Sequence, residues 1–163
     1  MAVDARCVAN EILVRAWDWG FEPTQIDIQK ISYFLHGHHL IDHGQPMIST
    51  EFEAMTYGPV QRVLLDSFRK FSDEPITELA TKFDPVRRVH SSLPRITDNS
   101  ILDTIDRYLA VYLNFNTFDM VNLTHAKGTP WSITMDAARK AVNLGMRISD
   151  DLIRARFEGG RVA

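Results

Sequence analysis

The chain has one cysteine, Cys7, in 163 residues. No internal disulfide is possible, and a lone thiol suits a reducing compartment. Long apolar runs are also missing: no window approaches the roughly 18 apolar residues that span a bilayer. The opening MAVDARCVAN carries neither a basic region nor the apolar stretch of an export signal. The expected location is the cytoplasm, with no membrane partner. A basic field is absent as well, since 18 basic side chains face 21 acidic ones for a net charge of −3. That balance argues against sequence-blind binding to nucleic acid as the main task. The eight glycines stand singly at element ends apart from Gly159-Gly160, so there is no Walker-type or Rossmann-type phosphate cradle. Neither G-x-S-x-G nor a cysteine in a catalytic context occurs, and Cys7 reads as a small core residue. The expectation is a chain with no catalytic residue, no cofactor and no resident metal.

What is present is ordinary globular sequence: 45% hydrophobic and 24% charged residues. A chain of this length buries about two thirds of its unfolded surface around one core, which predicts a single domain over 1–163. The fold class expected is mainly α (α+β): a compact domain of six to seven helices with a small β element around 47–57 and a second near 86–90. Ala5, Val8, Ala9, Ile12, Leu13 and Ala16 recur at steps of three and four, a helical face that starts at an Asp4 cap and stops by Gly20. Thr24-x-x-Asp27 opens a second helix through Ile28, Ile31, Phe34 and Leu35 to Gly44, apolar on more than one side. Phe52, Ala54 and Thr56 alternate with Glu51, Glu53, Met55 and Tyr57, a strand pattern. Gly58-Pro59 then reads as the start of a helix bearing Val60, Val63, Leu64, Ser67, Phe68 and Phe71. Prolines 75, 85 and 94 break the next stretch, leaving a short helix near 77–82 and the short strand near 86–90. Helices follow over 101–113, from Thr117, from Trp131 to a stop at Gly145, and from a Ser149 cap to Phe157, closed by Gly159-Gly160.

Charge is uneven along the chain. Residues 1–50 carry 3 basic and 6 acidic side chains, and 139–163 carry 6 basic and 3 acidic. Arg87-Arg88 with Arg147, Arg154, Arg156 and Arg161 could contact phosphate, so a DNA-binding regulator built on paired helices is one alternative. The plainer reading is a solvated face. The cluster His36, His38, His39 and His43 supplies a second alternative, because His36, His39 and His43 share one helical face and such imidazoles can converge on zinc. A metal-dependent hydrolase would use them, but no H-E-x-x-H order and no neighbouring cysteine support it. Trp17 and Trp19 lie two apart and cannot share a face, so one is expected near the surface.

Two segments place aromatic rings beside backbone-fixing residues: Phe52 to Val60, aiming Tyr57, and Thr124-His125 with Pro130-Trp131. Rigid amphipathic rings of this kind anchor either a core or a protein interface. Ile28-Gln29-Lys30-Ile31-Ser32-Tyr33-Phe34-Leu35-His36-Gly37, Phe52-Glu53-Ala54-Met55-Thr56-Tyr57-Gly58-Pro59-Val60, and Leu123-Thr124-His125 with Pro130-Trp131 occur in that order. Together they resemble the signatures of the Panacea domain of SocA-like antitoxins and related phage-associated proteins, over about residues 8–158. His38 and His39 depart from the pattern, standing where the family more often has aromatic residues, so of the histidine cluster only His36 matches.

The resemblance implies a single Panacea-like antitoxin domain that neutralises a cognate protein toxin by direct contact. For the SocA type it further implies an adaptor that carries the toxin to a Clp-type AAA+ protease. The motif positions it singles out for partner binding are Gln29, Lys30, Tyr33, His36, Tyr57, Gly58, Pro59, Thr124, His125, Pro130 and Trp131. The arginine-bearing tail 159–163 is a candidate protease contact or, more simply, a frayed end.

Overall fold

Helix α1 (Ala5–Asp18) starts where the Asp4 carboxylate accepts the Arg6 N–H, and its predicted inner residues, Ala5 to Ala16 in the list above, are all buried. Cys7 lies among them. Trp19 stands 46% exposed, while Trp17 is half-buried and donates its indole N–H to the Ile76 carbonyl. These atoms belong to a computed structural model that describes residues 1–140 and 146–159.

Helix α2 (Gln25–His43) is the axis of the fold. Thr24 and Asp27 form the expected reciprocal capping box, and Gly44 ends the helix in the left-handed conformation at φ 68°. From Ile28 to Leu40 every side chain but that of His38 is buried, because α1, the later helices at 62–68, 99–113, 117–125 and 150–158 and the strand at 58–60 all pack on it. A helix covered on all sides loses the amphipathic stripe of a surface helix.

Strands β1 (Phe52–Met55) and β2 (Gly58–Val60) form a tight antiparallel hairpin, and β5 (Arg147–Ile148) adds to the other side of β1. Ala54 faces Pro59 and Phe52 faces Ile148. Phe52 and Ala54 point inward and Glu53 and Met55 outward, as the alternation predicts. The expected helix at Gly58-Pro59 starts later, as α3 (Arg62–Phe68), which runs into a 3-10 turn at Arg69–Phe71. Pro59 is tolerated in β2 because β2 is an edge strand.

A second correction falls on 77–82. No helix forms there, because the Asn10 side chain takes both the N–H and the carbonyl of Ala80 at 2.8 and 2.9 Å and so holds that backbone extended. Strand β3 (Thr81–Asp84) follows, paired with β4 (Val89–Ser92). The expected strand at 86–90 therefore begins three residues late. Asp84 accepts the N–H groups of Val86 and Arg87, which makes 85–88 a loop.

Asp98 caps α4 (Asn99–Leu113) and Asn116 caps α5 (Thr117–His125). Helix α6 (Pro130–Lys140) opens at its proline, and Ser149 caps α7 (Asp150–Glu158). The predicted stop at Gly145 and the tail beyond Gly159 lie outside the described residues. Over the described residues the fold is mainly α, with seven α-helices and two small antiparallel sheets. None of these helices is long and apolar enough to cross a membrane.

Candidate functional site

Polar side chains buried on α2 organise the β1–β2 hairpin. The Gln29 amide reads the backbone of Gln61 in both directions: Gln61 N–H donates to Oε1 at 2.8 Å and Nε2 donates to the Gln61 carbonyl at 3.0 Å. Gln61 in turn holds Thr50, accepting its hydroxyl at 2.7 Å and donating to its carbonyl at 2.8 Å. One helical residue along, Lys30 is 1% exposed and its Nζ donates to the Pro59 carbonyl at 3.1 Å. Burial in apolar surroundings pushes the Lys30 ammonium down to about 7, since desolvation penalises the charged form.

Gly58 closes over that amine. Its φ is +106°, and a β-carbon there would lie 2.9 Å from both Lys30 Cε and Thr124 Oγ1, so this backbone needs glycine. From the α5–α6 side, Trp131 donates its indole N–H to the Met55 carbonyl at 2.7 Å. Its ring packs 4.0 Å from that of His125. Burial lowers the His125 pKa, the Lys30 charge lowers it further, and a hydrogen bond to the Thr56 backbone opposes both. The Thr124 hydroxyl donates to the Val121 carbonyl, and the Thr124 carbonyl accepts the Thr129 hydroxyl, which sets the turn into Pro130.

Nine of the predicted positions thus surround a single turn: Gln29, Lys30, Tyr57, Gly58, Pro59, Thr124, His125, Pro130 and Trp131. Eight build or support it. Tyr57, at the tip, is 68% exposed.

Tyr33 and His36 are placed elsewhere, fully buried. The Tyr33 ring meets Phe34, Phe52 and Phe157 edge-on, and burial pushes its phenol far up. Ile48 N–H donates to His36 Nδ1 at 3.2 Å, so the proton of a neutral ring sits on Nε2, which donates to Asp150 at 2.9 Å. These two residues dock α7 on α2.

The other histidines are also held in packing contacts. His38 stacks on Tyr108 at 3.9 Å and bonds the Tyr112 hydroxyl at 2.6 Å. His39 bonds Thr104 at 2.8 Å, and burial, followed by the charges of His43 and His36, pushes it down to about 4. Among the described residues no three His, Cys, Asp or Glu side chains stand where they could share a metal ion. The arginines are dispersed: Arg147 lines an open cleft of ≈ 790 Å³ with Asp4, Glu51, Glu53 and Asp66, Arg154 binds the Gly44 carbonyl, and Arg87 and Arg88 sit on the β3–β4 loop.

Sequence reasoning missed two features. Gln61 falls within the helix expected from Gly58-Pro59, with nothing to single it out, and in the structure it links Gln29 to Thr50. Phe118 is 72% exposed, on the side of α5 opposite buried Met120 and Thr124. The spacing Phe118, Asn122, His125 is that of one helical face leading to the turn, and this signal was available.

The family model described as antitoxin SocA-like, Panacea domain, matches residues 28–132. The chain belongs to the SocA-like Panacea family. Antitoxin SocA of Caulobacter vibrioides (strain NA1000 / CB15N) is 32% identical to it over 162 residues, covering 99% of this chain and 86% of that protein. No solved structure matches. The matched Panacea segment runs from Ile28, where the buried face of α2 begins, to Ser132, one residue past Trp131, and so encloses the whole supported turn.

Proposed function

We propose that this chain, acting as one domain, is the antitoxin of a toxin–antitoxin pair and neutralises a cognate protein toxin in the cytoplasm by direct contact, with the Tyr57 turn as the anchor of the interface. The observation that carries the reading is an exposed ring on a backbone held by Gln29, Lys30 and Trp131 through hydrogen bonds to residues 61, 59 and 55. Burying polar side chains to hold a surface turn is costly unless each is paired. A turn ordered before binding loses little further entropy on binding, and a tyrosine is among the strongest single anchors. An interface of about 1,200–2,000 Å² with this centre and a charged rim would hold a toxin sterically, without chemistry. The amine of Lys30 is covered by Gly58 and bonded to Pro59, which suits a support and not a nucleophile.

Delivery of the bound toxin to a Clp-type AAA+ protease extends this reading. It requires a second, weaker contact surface away from Tyr57, so that proximity alone accelerates degradation.

Coexpression with the product of the neighbouring gene, followed by a growth assay and copurification, tests the reading. Tyr57→Ala is expected to fold normally and to weaken the complex by about 2 kcal/mol, roughly thirtyfold. Unchanged affinity in Tyr57→Ala would remove the turn from the interface. Absence of any toxic neighbour bound by the wild-type chain would remove the antitoxin reading itself.

A further inference from the structure

The β3–β4 hairpin projects from the domain with two unlike edges. The start of β3 is occupied, because Asn10 takes the Ala80 carbonyl at 2.9 Å and Arg6 takes that of Thr81 at 3.4 Å. Among the described residues β4 pairs with β3 alone and no strand lies beside its other edge, and Val89 to Ser92 are all exposed. Such an edge presents a row of unpaired N–H and C=O groups to any extended chain. Polar His90, Ser91 and Ser92 line the edge itself, and apolar Phe83, Val86 and Val89 stand 49%, 91% and 50% exposed on the same hairpin.

Charge selects the visitor. The hairpin carries Lys82, Arg87 and Arg88 against the single carboxylate of Asp84, in a chain whose net charge is −3. Asp84 is engaged by two backbone N–H groups of the loop. Among the described residues Lys82 and Arg88 make no ion pair, and Arg87 reaches Asp84 only at 3.9 Å. A second copy of this hairpin would bring like charges together, which disfavours self-pairing. Register gives the pattern. Lys82 and Ser91 share one face with Val89, and Phe83 and His90 share the other, with rings 5.1 Å apart.

We propose that the free edge of β4 binds an extended, acidic polypeptide segment of another protein by strand addition, with backbone bonds to 89–92, acidic side chains towards Lys82, Arg87 and Arg88, and apolar ones beside Phe83. Main-chain bonds supply the affinity and the alternation supplies the selectivity. This surface is separate from the Tyr57 turn and does not depend on the antitoxin reading.

The test uses the isotopically labelled full chain and a short peptide alternating valine and glutamate, followed by backbone amide shifts and hydrogen exchange. Slowed exchange and shifts centred on 89–92 are expected, with affinity falling about tenfold in Arg87→Glu/Arg88→Glu and in Lys82→Glu, all exposed positions. A peptide with lysine in place of glutamate should not bind, and Tyr57→Ala should bind the glutamate peptide as the wild type does. Shifts that avoid 89–92, or no binding at all, overturn the proposal. So does equal affinity for a single-stranded oligonucleotide of the same charge, which would mark a phosphate site, and so does loss of peptide binding in Tyr57→Ala.

Discussion

From Ile28 to Leu40 every side chain of α2 except the half-buried His38 is buried, polar ones included, whereas every strand residue of the β3–β4 hairpin is exposed apart from partly covered Asp84. The two regions show opposite uses of polar groups. On α2 several buried polar groups reach distant partners: Gln29 fixes Gln61, Lys30 fixes Pro59, His36 fixes Ile48 and the start of α7, and His39 meets the Thr104 hydroxyl, whereas Ser32 Oγ and Tyr33 Oη find no hydrogen-bond partner among the described residues. Desolvation is costly unless a partner offsets it, so the paired groups set the geometry tightly. On the hairpin, Asp84 fixes only its own loop, through the Val86 and Arg87 N–H groups, while the exposed cations of Lys82, Arg87 and Arg88 fix no distant backbone and stand open to another molecule.

The sharpest way to break the contrast is to crowd α2. A β-carbon at Gly37 would fall 2.2 Å from the Phe157 ring, so that ring keeps its place on α2 only over a glycine. Gly37→Ala is expected to displace Phe157 and cost about 3 kcal/mol, read as a lower denaturant midpoint. An unchanged midpoint would show that α7 is not part of the cooperative core.

Lys30→Met separates support from stability. The folded pKa of Lys30, about 7, lies below the 10.5 of the free side chain. Through that window the unfolded chain keeps a proton that the folded chain has lost. Stability from this group therefore rises as pH climbs from about 7 towards 10.5, and the burial penalty is fully present below about 7. The wild type should gain up to about 1.4 kcal/mol per pH unit in mid-window relative to Lys30→Met. Melting curves of both proteins between neutral and alkaline pH check this, and parallel curves would refute it. Toxin binding should weaken in Lys30→Met even where its fold is the more stable, because the Pro59 carbonyl loses its tether.

The smallest effect belongs to the hairpin. Arg88 sits at φ 55°, a conformation that glycine adopts freely. Arg88→Gly should raise stability by about 0.5 kcal/mol at most, while weakening binding of the acidic peptide. A clear loss of stability would mean that the exposed arginine supports the loop.

Much of the architecture was legible because it rests on local chemistry. The Asp4, Thr24 and Ser149 caps, the Gly44 stop and the in–out alternation of Phe52 to Met55 each follow from a few neighbouring residues. Two stretches were not legible. Gly58-Pro59 has the local signature of a helix start, but Lys30 and Gln29, far away in the chain, seize residues 59 and 61 and make that backbone a strand edge. Residues 77–82 carry no proline and look helical, yet Asn10 pulls Ala80 into an extended path. The candidate site was legible as a set of motif positions and not as an arrangement. The alternation over 51–57 already turns Tyr57 to the side of Glu51 and Glu53, whereas nothing local shows that Tyr33 is sealed between Phe52 and Phe157.

By itself the amino-acid order determined most of the helices, their caps, the inner faces of α1 and β1 and the family, since these depend on spacing over one or two turns. Tertiary structure alone decided that a lysine would be buried beneath a glycine, that nine scattered positions would gather round one turn, and that one hairpin edge would stand open. Those outcomes depend on which distant group satisfies a buried donor or acceptor, and that choice is made only when the chain closes on itself.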